Sequence, residues 1–286
     1  MGALAAILQS DANLLRCQVA RLGPHVSLQD GDKPPDAYGF GHYQAGNVLL
    51  GKRPSGATAP LSLPDLVGRI DSEALIVHAR RATIGKAKDE NTHPFRFRRW
   101  LFAHDGTVEG FDRVRPKLLQ ALPDFLRRNI TGDTDSEHAF MWFLKELKDQ
   151  GMLDDLDVDA RTAGRALART VLALEAWCRE VGEQRPSRLG FIATNGRVMA
   201  ATRRGGPLFY ALLEGIVPCP LDGITDQTPE SDPRLRPHRR VKAVCFASRL
   251  LAPNGFIEVP EGSVVSVSRS LQVTVGTLND HGGTNP

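Results

Sequence analysis

The chain has 286 residues, 41% of them hydrophobic and 24% charged, with 36 Lys and Arg against 33 Asp and Glu. That is ordinary globular composition at a length that buries a substantial core, and a net charge of +3 is too balanced to favour nucleic acid or an anionic membrane. No apolar run approaches the ~18 residues of a membrane span, and no basic segment leads into a long apolar stretch as a secretory signal would, so the expected location is the cytoplasm.

Residues 3–8 (ALAAIL) read as a buried strand, and 12–22 (ANLLRCQVARL) as a helix with Leu14, Leu15, Val19 and Leu22 at helical spacing. An aromatic strand, a turn at Gly46 and a second strand follow in DAYGFGHYQAGNVLLGKR. PSGATAPLSLP reads as a loop, and 75–80 and 100–104 as strands. A helix is predicted over 135–149, with Thr134 and Glu137 placed as a capping box and Ala139, Phe140, Phe143, Leu144 and Leu147 as its apolar face. Gly151 ends it. A longer amphipathic helix over 161–181 carries Leu167, Val171, Leu174, Trp177 and Cys178 on one side.

Strands return at 190–194, in RVMAATRR, at 241–247, in SVVSVSRS and in LQVTVGT, with TNGR as a hairpin turn. Residues 214–240, rich in Pro, Asp and Arg, read as a loop or insertion. Cys17, Cys178, Cys219 and Cys245 are scattered, with no C-x-x-C pair and no metal-type spacing. A reduced protein with no metal and no cofactor is expected. GFGHYQAG is not a dinucleotide loop, because no βαβ pattern surrounds it. Strands, two central helices and strands again imply two stacked sheets covered by helices: an α+β, four-layer αββα sandwich. One domain is expected over 1–275, with a flexible tail at 276–286.

Five segments then carry a resemblance: DAYGFGHY (36–43), HARRATIG (78–85), ENTHPF (90–95), WLFAHDGTVEGF (100–111) and GDTDSE (132–137). In this order and spacing they resemble the class II, N-terminal-nucleophile type of glutamine amidotransferase, in its small stand-alone form, across about residues 1 to 270. The resemblance implies the αββα fold of the N-terminal-nucleophile hydrolases and hydrolysis of the glutamine amide by a terminal Cys. Its own α-amine serves as the base.

Two positions depart from that pattern. Gly2 occupies the nucleophile's position, so no acyl-enzyme can form there. Where the family pairs Asn with Gly in the oxyanion hole, this chain has Asp105 and Gly106; an ionised carboxylate only accepts and would repel an oxyanion. Asp105 could donate only if burial raised its pKa. For binding, the resemblance assigns the substrate carboxylate to Arg80 and the α-ammonium to Asp135, with Thr83 lining the same pocket and Gly132 allowing close backbone approach. His93 before Pro94 reads as readily structural as functional, and His104 before the turn reads as a buried, paired histidine.

The expected function is a type-2-like amidotransferase degenerate for glutamine hydrolysis. It keeps a pocket for an amino-acid-like ligand, glutamine or a γ-glutamyl compound, as a sensor or as a subunit with a protein partner or a second copy of itself. Two alternatives stay open: an active enzyme, if the native chain has Cys at position 2, and a scaffold with a vestigial pocket.

Overall fold

The computed structural model describes residues 2–29, 35–54, 62–81, 84, 88–216 and 218–281. Its strands are β1 (Ala3–Gln9), β2 (Ala37–Gln44), β3 (Asn47–Pro54), β4 (Ala74–Arg80), β5 (Phe95–Phe97), β6 (Trp100–Thr107), β7 (Arg188–Thr194), β8 (Met199–Arg203), β9 (Phe209–Glu214), β10 (Lys242–Ala247), β11 (Ile257–Glu258), β12 (Ser263–Val267) and β13 (Val273–Thr277). Its helices are α1 (Leu15–Leu22), α2 (Leu63–Val67), α3 (Phe111–Ala121), α4 (Asp124–Arg127), α5 (Asp135–Asp149), α6 (Ala160–Glu180) and α7 (Leu235–Arg240).

Two antiparallel sheets form, one ordered β11-β9-β10-β1-β4-β2-β3 and the other β13-β12-β8-β7-β6-β5. Because side chains alternate across a strand, each central strand feeds two cores. Leu4, Ala6 and Leu8 of β1, Ala74 and Ile76 of β4, and Leu101 and Ala103 of β6 meet between the sheets. Ala3, Ala5 and Ile7, with Leu75, Val77 and Ala79, face the opposite way onto Leu15, Val19 and Leu22 of α1 and Leu63 and Val67 of α2. Trp100 and Phe102 turn outward from the second sheet to pack on α5 and α6. Helices on both outer faces of two stacked sheets give the αββα sandwich that the strand and helix order implied.

The five strands and two long helices expected from the sequence are present at 3–9, 74–80, 100–107, 188–194, 242–247, 135–149 and 160–180. The hairpin at 194–199 closes through Asn195, whose side-chain oxygen accepts from the amides of Arg197 and Val198, with Gly196 at a φ of +90°. Thr134 caps α5 by accepting from the Glu137 amide. The reciprocal half of the capping box does not form as expected: Glu137 reaches past Thr134 to the amides of Thr131 and Gly132.

Several elements were not anticipated. β9 extends the first sheet, and its alternation is muted because it lies near the sheet edge with Leu212 exposed. α3 buries Phe111, Val114 and Leu118 at helical spacing, a signal masked by Pro116 in its interior. α2 begins within the segment read as a loop, where Ser62 and Asp65 form a full capping box; residues 55–61 of that loop lie outside the described residues. The insertion at 214–240 ends in α7. Of the C-terminal tail, 276 and 277 belong to β13 and 282–286 lie outside the described residues.

Candidate active site

The N-terminal end of β1 and the C-terminal end of β4 meet because the two strands pair antiparallel, with Ala3 opposite Ala79 and Leu4 opposite His78. On β4 the residues Leu75, Val77 and Ala79 face the outer helices, so the alternation turns His78 and Arg80 toward the second sheet. There Gly2, His78, Arg80, Arg81, Ile84, His93, His104, Gly106, Thr134, Asp135 and Ser136 line one pocket. Gly106 comes from β6, and Thr134 to Ser136 from the cap and first turn of α5. Two sheets and a helix N-terminus therefore converge on one spot.

Arg80 is buried and its guanidinium donates to the Ile84 carbonyl at 2.9 Å. Burial opposes its charge, and the nearby carboxylates of Asp36, Asp133 and Asp135 support it. Asp135, equally buried, accepts from the amides of Ser136 and of Val108 at 2.9 and 2.7 Å. It thereby anchors the segment that follows Gly106 to the start of α5. Both oxygens keep lone pairs for a further donor.

His104 is fixed between the Arg188 carbonyl (Nε2, 2.8 Å) and the Ser136 hydroxyl (Nδ1, 2.9 Å). A carbonyl can only accept, so Nε2 carries a proton, and the Ser136 hydroxyl bridges Nδ1 and the Asp135 carboxylate, 3.3 Å away. His93 stacks against His78 with ring centroids 4.2 Å apart. Burial chiefly pushes His78 down to about 3. Burial also holds His93 well below the ordinary imidazole range, so both rings are neutral. Neither nitrogen of His93 has a hydrogen-bond partner among the described residues. Sequence reading passed over His78 as a lining residue, although its position two before Arg80 on one strand puts both on one face. It also passed over Ser136 and Arg249, which donates to the Gly2 carbonyl at 3.1 Å.

Two glycines are held by close approach. A Cβ at Gly106 would stand 1.9 Å from the Arg188 carbonyl oxygen, and one at Gly2 would stand 2.6 Å from the Ala79 carbonyl oxygen and 2.9 Å from His78 Nε2. Asp105 and Gly132 are not among the residues that line the pocket. Asp105 shares the face of β6 that carries Leu101 and Ala103 into the space between the sheets, near Ser248 and Arg249, which hold the Leu4 amide and the Gly2 carbonyl. Burial raises its pKa against the opposing effects of Ser248, Arg249, His104 and Arg188, and Oδ1 finds no hydrogen-bond partner among the described residues. Gly132 does not line the pocket; a Cβ there would meet Asn91 Oδ1 at 2.4 Å, breaking a pairing in which Asn91 holds both the amide and the carboxylate of Asp133. Thr83 lies outside the described residues.

A sequence profile for class-II glutamine amidotransferases matches residues 25–265. The chain belongs to that family. Among curated relatives, the "Probable glutamine amidotransferase DUG3" of Saccharomyces cerevisiae is 30% identical over 149 residues, which is 50% of this chain and 42% of the relative. The match thus spans less than half the length of that relative. Among solved structures, a class-II glutamine aminotransferase domain protein from Silicibacter pomeroyi superposes with a TM-score of 0.57 at 21% identity, covering 96% of this chain and 98% of the other. The glutamine phosphoribosylpyrophosphate amidotransferase of B. subtilis superposes at 0.53 with 12% identity, covering 96% of this chain and 49% of that one. At these identities the structural likenesses speak for the fold. The fold thus brings Gly2, Arg80, Gly106 and Asp135 into the lining of one pocket.

Proposed function

We propose that this class-II amidotransferase relative binds a small amino-acid-like ligand, glutamine or a γ-glutamyl compound, and does not hydrolyse glutamine through residue 2. The observation that carries the binding half is the pairing of one buried cation and one buried carboxylate, Arg80 and Asp135, in the lining of a single pocket. A zwitterion offers each the complementary charge. The ligand carboxylate takes the place that the Ile84 carbonyl holds on Arg80, and the unsatisfied nitrogens of His93 supply further polar partners. The cavity between these groups is small, about 20 Å³, against the few hundred Å³ of ordinary ligand sites. Binding therefore requires the Arg80–Ile84 contact to open.

The catalytic half rests on residue 2. Glycine has no nucleophile, and the crowding of its Cβ position by Ala79 and His78 supports a strand end fitted to glycine. A second reading, an enzyme working without residue 2, has one specific observation in its favour. The Ser136 hydroxyl lies 2.9 Å from His104 Nδ1 within the pocket, the spacing of a nucleophile and its base.

Calorimetry with glutamine, glutamate and γ-glutamyl compounds tests the binding half. Two charge-assisted hydrogen bonds of roughly 1.5–3 kcal/mol each, offset by association costs, support affinities from micromolar to millimolar. Arg80→Ala should weaken binding about tenfold or more. No binding at millimolar concentration would replace this reading with a scaffold whose pocket is vestigial. For the catalytic half, ammonia release should match a no-protein control. Hydrolysis abolished by Ser136→Ala would establish the second reading.

A further inference from the structure

Away from the pocket, the structure closes a second constellation that sequence spacing does not suggest. Cys17 of α1, Cys219 and Asp222 of the 214–240 insertion, and His238 of α7 bring one ligand-type atom each within 4.8 Å of one another. Cys17, Cys219 and His238 are buried, and the Asp222 side chain is 18% exposed. From this geometry we propose that Cys17, Cys219, Asp222 and His238 form a structural zinc site that fastens the insertion to α1.

Four observations carry it. The donor set is two thiols, one imidazole and one carboxylate, all supplied by protein, which is the closed four-coordinate kind of site that Zn²⁺ takes when its role is structural. The separations suit a common ion: Cys17 Sγ lies 3.2 Å and His238 Nε2 3.3 Å from Asp222 Oδ2, and ligands at about 2.0–2.3 Å around a tetrahedral centre sit roughly 3.3–3.8 Å apart. The histidine is oriented for ligation. Its Nδ1 lies 2.8 Å from the Arg234 carbonyl, which can only accept, so Nδ1 holds a proton and Nε2 is the ring atom turned to the cluster. That buried Nε2 makes no hydrogen bond despite its nearness to Asp222.

The local backbone is also built for it. The Cys219 amide donates to Ile224 and the Gly223 amide to Cys219, with Gly223 at a φ of +66°. This tight turn directs Cys219 and Asp222 to one side. Arg16, 3.6 Å from the Asp222 carboxylate, and Arg21, whose Nε donates to the Pro218 carbonyl, place positive charge around a centre with a formal charge of about −1, since two thiolates and a carboxylate exceed one divalent ion.

The energetic reason lies in the insertion. Among the described residues, the apolar cluster that joins it to α1 is Leu14, Cys17, Cys219, Ile224, Leu235 and Val241, with Ile216 alongside. So small a core holds a segment of this length poorly, and a metal staple is a common remedy.

The test uses the full chain, tag-free and purified without chelator. Elemental analysis should find one zinc per chain. Cobalt(II) added to the chelator-stripped protein should give the visible bands of a tetrahedral ion together with a thiolate charge-transfer band. Cys219→Ser and His238→Asn should each weaken zinc binding at least about tenfold, and Asp222→Asn keeps the packing if either fails to fold. Substoichiometric zinc after incubation with micromolar Zn²⁺ would overturn the proposal. So would a cobalt spectrum without the thiolate band, zinc retained in all three variants, or a Cys17–Cys219 disulfide in the unreduced protein.

Discussion

Asp105 illustrates how one side chain can set a pH dependence. Its carboxyl is buried, one oxygen is unsatisfied, and burial raises its pKa above the ordinary 3.8. The folded state then binds this proton more tightly than the unfolded chain does, so folded stability falls as pH rises from 3.8 through the raised value and stays lower above it. Asp105→Asn removes the charge and keeps the shape. In urea titrations it should stabilise the protein by about 1 kcal/mol or more at pH 7, the scale of an uncompensated buried group, with the gain vanishing near pH 3. A variant no more stable than its parent at neutral pH would show that the carboxylate is better solvated than its burial implies. Gly2 poses the complementary case, because a side chain there meets the Ala79 carbonyl and the His78 ring. Gly2→Cys alone should therefore leave ammonia release at background, and restoring chemistry should also need Asp105→Asn, which replaces a repelling charge with a donor.

At the scale of elements, the N-terminus of α5 organises the pocket. Thr134 caps the helix, Asp135 holds the Val108 amide, Ser136 holds His104, and Glu137 holds the Thr131 and Gly132 amides. Four consecutive side chains thus tie one helix start to β6 and to the loop before it. Thr134→Ala should cost about 1 kcal/mol, the usual value of a lost cap. Glu137→Ala strips two backbone donors of a charged partner and should cost more, roughly 1.5–3 kcal/mol. Thermal or urea unfolding checks the order, and the reverse order would mean that the Glu137 bonds are replaced by water.

Across the whole molecule, two neutral histidines buried between strands make the fold acid-sensitive. His78 is held down to about 3 and His93 well below the imidazole range, both chiefly by burial. Below pH 6.5 the unfolded chain takes up protons that the folded chain refuses, so stability is present above that value and is lost as pH falls toward 3. The loss is up to about 1.4 kcal/mol per pH unit for each ring. Asp105 acts in the opposite direction, so the parent should be compared with His93→Asn between pH 7 and 4; the variant should show the flatter curve. An unchanged slope would mean that His93 is protonated in the folded protein.

Much of the architecture was legible in the residues. The apolar runs at 3–8, 75–80 and 241–247 and the periodic faces of 135–149 and 161–181 each mark one element, because burial on a strand or helix imposes its own period on the chain. Short edge elements such as β9 and α7 were not legible, since they bury too little to imprint a pattern. The pocket was half legible: HARR and GDTDSE named Arg80 and Asp135, but strand pairing and parity decided that His78 joins them. The cysteines mark the limit of the sequence. Cys17 and Cys219 are separated by two sheets' worth of chain, and no spacing rule links them. Only the return of the insertion across α1 puts two thiols, Asp222 and His238 around one point. Local periodicity is written in neighbouring residues, whereas a site assembled from distant segments exists only once the whole chain has packed.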